Sequence, residues 1–96
     1  MSETKTDYIK RQKGNLDSWT DEIAKYQVKA DKASEKMVEK YKKQIVDLKE
    51  KHAGLEMKIA DVEKSAEEGW EAIKIASDKA FKDLDKSFKV AKAFFN

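Results

Sequence analysis

Apolar side chains recur at three- and four-residue intervals along almost the whole chain, with no proline to interrupt them. From Leu16 the stripe reads Trp19, Ile23, Tyr26, Ala30, Ala33, Met37, Tyr41, Ile45, Leu48, His52, Leu55, Ile59, Val62 and Ala66. It continues through Trp70, Ile73, Ser77, Phe81, Leu84, Phe88, Ala91 and Phe95. Only a helix brings residues at that spacing to one face. The stripe is narrow and its flanks are charged, which is the pattern of a coiled-coil seam.

The rhythm changes along the chain. From Leu16 to Ala33 it is heptad-like, and from Ala33 through Met37 and Tyr41 to Ile45 every step is four residues. Such a stutter locally unwinds a left-handed supercoil. Heptads resume from Ile45 to Val62, an eleven-residue rhythm follows to Leu84, and heptads return over the aromatic end.

The pattern predicts an all-α protein built on one long, nearly continuous coiled-coil helix that self-associates. A helix from Ser18 to Ala93 would be roughly 110 Å long at ~1.5 Å per residue. The alternative is an antiparallel hairpin turning near His52–Gly54 or near Ser65–Gly69. Gly54 suits a helix end, and Ser65-Ala66-Glu67-Glu68 resembles a capping box. The stripe keeps its phase across Gly54, which favours continuity there. Residues 1–15 read as a polar N-terminal segment, frayed or helical, with Gly14-Asn15 as a weak point and Ser18 as a place where the helix restarts. Residues 16–95 read as a single coiled-coil unit, of which 70–95 form an aromatic, lysine-rich amphipathic part.

Composition sharpens this. Of 96 residues, 42% are Asp, Glu, Lys or Arg, against about a quarter in ordinary globular domains. A helix with so thin a seam needs a partner, either another copy or its own second half. Acid-first pairs four residues apart, such as Asp47/Lys51 and Asp85/Lys89, add a few tenths of a kcal/mol each to the helix. With 21 basic and 19 acidic residues, the chain lacks the basic excess of a nucleic-acid binder. Locally the balance shifts: residues 56–71 hold six acids against Lys58 and Lys64, while residues 72–96 hold six lysines against three aspartates.

Candidate chemistry is sparse. There is no cysteine, which fits a reducing cytoplasm. No secretion signal or ~20-residue apolar span is present, so we expect a cytoplasmic protein. His52, with Glu56 one turn on, supplies two ligands at most, too few for a closed metal site; it reads as a polar seam residue that sets register. Glu67/Glu68 and Asp83/Asp85 have no pocket to tune them. The three glycines stand apart and form no phosphate loop. We therefore expect no catalytic residues, no cofactor, no metal, no small-molecule substrate and no nucleic-acid partner.

The expected partner is a second copy through the seam residues named above, or another helical protein. A second expectation concerns Phe81, Phe88 and Phe95, which stand seven apart between Lys79, Lys82, Lys86, Lys89 and Lys92. Such a helix can lie on an anionic membrane surface. A third reading is a chain disordered in dilute solution and helical on drying; the regular Ile/Leu seam and the aromatics speak against it.

Three segments carry a family resemblance: Tyr8-Ile9-x-x-Gln12-x-x-x-Leu16-x-x-Trp19-x-x-x-Ile23, Lys40-Tyr41-x-x-Gln44-Ile45-x-x-Leu48, and Ser65-Ala66-Glu67-Glu68-Gly69-Trp70-Glu71. Together the chain resembles small bacterial coiled-coil proteins usually named stress-response or coiled-coil domain proteins. The resemblance implies a bacterial, non-enzymatic helical protein linked to stress, and it carries over no ligand residues.

Overall fold

Three helices account for nearly all of residues 3–95, the span described by the computed structural model. They are α1 (Lys5–Asp31), α2 (Glu35–Lys64) and α3 (Trp70–Phe95). They run up, down and up, and form a slender bundle whose backbone measures 52 × 18 × 17 Å.

The all-α expectation holds, but the single long helix does not. The chain reverses twice, at Lys32–Ser34 and at Ser65–Gly69. The first reversal sits where the apolar rhythm shifts from heptads to four-residue steps, so the shift marks a turn rather than an unwound coil. Ser34, in extended geometry, starts α2; its carbonyl takes the Met37 and Val38 amides at 2.9 Å. Glu35 lies in the first turn, at the positive end of the helix dipole.

The second reversal is at one of the two places expected for a hairpin. Ser65 closes α2, its amide and hydroxyl both bonded to the Val62 carbonyl. Gly69 then takes φ +93°, a backbone state that an L side chain occupies only with strain. Lys5 on α1 donates to the carbonyls of Glu63 and Ser65, a cation where the α2 dipole ends negative. Gly54, by contrast, stays inside α2.

Helix α1 begins at Lys5 and runs unbroken past Gly14 and Ser18. The Thr4 hydroxyl accepts from the Asp7 amide at 3.1 Å, which satisfies one orphan donor of the first turn. Residues 5–15 are thus helical, and Tyr8 and Gln12 are fully buried.

The apolar stripe closes on itself. Leu16, Ile23, Tyr26, Ala30, Ile45, Leu48, Leu55, Ile59, Val62, Trp70, Leu84, Phe88, Ala91 and Phe95 all lie in one core. Each large side chain buried this way contributes about 1.5–3 kcal/mol. Between the parallel helices α1 and α3 the space is filled by rings. Trp19 stacks on Phe88 with centroids 5.2 Å apart, and Tyr26 on Phe95 at 4.4 Å. Tyr41 of α2 meets Phe94 edge-on at 5.3 Å.

Candidate functional site

Most of the seam residues expected between copies are spent inside one chain. Trp19, Ala33, Met37, Tyr41, His52, Ile73 and Phe81 are half-buried, and Ala66 is exposed in the second turn. What the bundle leaves open is a trough between α1 and α2. Three sections, the first joined to the second through Thr20, His52 and Glu56 and the second to the third through Gln27 and Lys49, follow the two helices from Lys13 and Glu63 at one end to Asp31 and Lys42 at the other. Core residues Leu16, Ile23, Ala30, Ile45 and Ile59 form its floor. Ala24, Val46 and Ala60 stand on its walls.

His52 sits at the middle of this trough. Its Nε2 lies 2.9 Å from the Leu16 carbonyl and 3.0 Å from Thr20 Oγ1. A carbonyl only accepts, so Nε2 is the donor in that contact. The Thr20 hydroxyl donates to the same carbonyl at 2.9 Å. On the other side, Nδ1 is 2.9 Å from Glu56 Oε1. His52 therefore clasps α2 to α1 at one level within a single chain. Among the described residues no group of three or more His, Asp or Glu converges as a metal site. Glu67 and Glu68 are exposed in the turn, and Asp85 pairs with Lys89 at 3.2 Å.

Separate from the trough, α1 and α3 enclose a buried polar cluster that the boundary drawn at residue 15 hides. Tyr8 Oη donates to Asp78 Oδ1 at 2.7 Å and takes the hydroxyl of buried Ser77 at 2.9 Å. Burial pushes the Tyr8 phenol above its ordinary value of 10.0; Asp78 pushes the same way, while the Ser77 hydroxyl opposes it. Gln12 accepts from Asn15 at 3.3 Å, and its Nε2 has no partner among the described residues. Lys74 Nζ stands 5.4 Å from the Tyr8 ring centroid, and the Arg11 guanidinium carbon 5.3 Å from it. Arg11 also pairs with Glu3, which holds the Glu3 carboxyl below its usual range. The cue in the sequence is that Tyr8, Gln12 and Leu16 extend the helical stripe backwards by steps of four.

Among the described residues no helix is long and apolar enough to cross a membrane. No family model, curated protein or solved structure matches the chain.

Proposed function

We propose that this protein is a non-enzymatic, self-associating helical bundle that works as a structural or interaction module. The observation that carries this reading is the α1/α2 trough. It is open to solvent along its length, floored by the core, and edged by charged side chains with Ala24, Val46 and Ala60 between them, of which Val46 remains 53% exposed. Val28, 52% exposed, lies one turn beyond Ala24 on the same helix. A long apolar-floored face suits another helical surface better than a small ligand, which needs an enclosed pocket. The resemblance to small bacterial coiled-coil proteins supports the same reading, and with it a cytoplasmic role under stress. Light scattering of the full chain over a concentration series tests it: the mass should rise above the 11.1 kDa of one chain. A constant single-chain mass would refute it.

A second reading, peripheral binding to anionic membranes through α3, draws on the lysines at 79, 82, 86, 89 and 92. Phe88 and Phe95 are each 6% exposed, so they contact lipid only after the bundle opens. Flotation with anionic vesicles would support this reading. Absence of flotation would remove it.

A further inference from the structure

Resting on the self-association proposed above, we infer that two copies pair antiparallel through the α1/α2 face, α2 against α2 and α1 against α1, about a twofold axis crossing the rod between His52 and Ala53.

The argument starts from a second stripe on α2, distinct from the one that faces the core. Lys42, Lys49, Glu56 and Glu63 recur at seven-residue intervals, and all four line the trough. Val46, Ala53 and Ala60 recur at the same interval between them. Small, apolar positions flanked by charge at heptad spacing make a coiled-coil seam. Alanines at the contact let two helix axes approach to the short end of the usual 8–10 Å range.

The order of the charges sets the orientation. Two lysines are followed by two glutamates. In a parallel pair each residue faces its own copy and every contact is between like charges. In an antiparallel pair Lys42 faces Glu63 of the other copy and Lys49 faces Glu56, both couples being equidistant from the point between His52 and Ala53. The twofold repeats them, giving four opposite-charge couples. The same axis crosses α1 near Thr20, because His52 Nε2 touches Leu16 and Thr20 there. Lys10 and Asp31, both exposed, then stand equidistant on either side of it.

Within one chain Glu56 offers Oε1 to His52, and Glu63 offers Oε2 to Lys13 at 3.1 Å. Each carboxylate keeps its other oxygen for a partner lysine. Rim pairs of this kind fix partner and orientation more than affinity. The affinity would come from area: a face two helices wide and about 40 Å long offers roughly 800 Å² per copy, the size of a standard stable interface.

Sedimentation equilibrium of the full chain and two charge variants tests the surface. Glu56→Lys with Glu63→Lys makes the stripe all-lysine; Lys42→Glu with Lys49→Glu makes it all-glutamate and touches neither the His52 nor the Lys13 contact. Each variant alone should keep its helicity and associate at least tenfold more weakly. An equimolar mixture of the two should regain the wild-type mass. Single-cysteine variants then report orientation, because the native chain has no thiol. Ala53→Cys should cross-link readily and Val46→Cys should not, its two copies lying roughly 20 Å apart at ~1.5 Å per residue. Wild-type protein that stays single-chain would overturn the self-association reading itself. Wild-type dimers with unaffected variants would overturn this surface alone. Equal cross-linking at positions 53 and 46 would overturn the antiparallel arrangement.

Discussion

The Tyr8 hydroxyl donates to the Asp78 carboxylate at 2.7 Å, joining the first turns of α1 to α3 across seventy residues of chain. The ring is fully buried, so this bond closes the bundle at the end that holds the Ser65–Gly69 reversal. Tyr8→Phe removes the donor and leaves the buried Ser77 hydroxyl without one of its partners. We expect a loss of about 1–2 kcal/mol in urea unfolding.

Alkaline pH probes the same group. The folded chain holds the Tyr8 phenol above 10.0 by burial and, to a lesser degree, through Asp78. The unfolded chain therefore loses that proton first as pH rises. Stability from this term is complete below the ordinary tyrosine value and is lost as pH climbs through the raised one. Urea midpoints from about pH 8 to about pH 11 should fall more steeply for wild type than for Tyr8→Phe. Lysine titration is common to both proteins and cancels in the comparison. Tyr26, also raised by burial and by Glu22, leaves a residual slope in the variant. Equal slopes would contradict the buried placement of Tyr8.

Two glycines should respond with opposite signs. Gly54 is helical, and a Cβ there meets nothing within 4 Å. Gly54→Ala should raise stability by about 0.5–1 kcal/mol. Gly69 is equally uncrowded but holds φ +93°, so Gly69→Ala should cost roughly 1–2 kcal/mol through backbone strain alone. Thermal melts of the pair read the difference directly; stabilisation by both would mean α2 runs on into α3.

How much of this was legible follows from what each residue must satisfy. The inward set, from Leu16 through Phe95, is readable because burial demands helical spacing. Who covers that set is not readable from spacing, since a second copy and a folded-back segment bury the same stripe. The turn at Ser65–Gly69 shows itself through a hydroxyl cap and a glycine. The turn at Lys32–Ser34 is hidden because Ala33 continues the apolar rhythm, and its only trace is the run of four-residue steps to Ile45. Tyr8 and Gln12 are obscured by the Gly14-Asn15 step, although α1 passes straight through it. The charged stripe on α2 reads as ordinary solvated surface until the trough places its four residues along one wall.

Gln12 is 1% exposed, with its Nε2 unpartnered among the described residues. A buried donor left unsatisfied costs about 1–3 kcal/mol. Gln12→Leu, which keeps a similar volume, should therefore raise the urea midpoint by about 1 kcal/mol of stability. A clear loss would show that the amide has a partner in solution.

Leu55 and Ile59 are 0% and 2% exposed within one chain. Leu55→Ala should cost about 2–5 kcal/mol, a large share of the stability of a domain this size. Leu55→Asp with Ile59→Asp should abolish far-ultraviolet helicity at every protein concentration, because it unfolds the bundle itself. A variant that stayed helical and lost only oligomer mass would place these residues between copies instead.

The central claim is that a single chain folds its apolar stripe back onto itself. Spin labels at positions 10 and 64, diluted in excess unlabelled protein, measure this within one molecule by pulsed dipolar spectroscopy. Lys5 reaches Ser65 and Lys13 reaches Glu63, so the account predicts a distance within two helix diameters, about 25 Å. A continuous helix would hold the labels roughly 80 Å apart at ~1.5 Å per residue, and that result would contradict it.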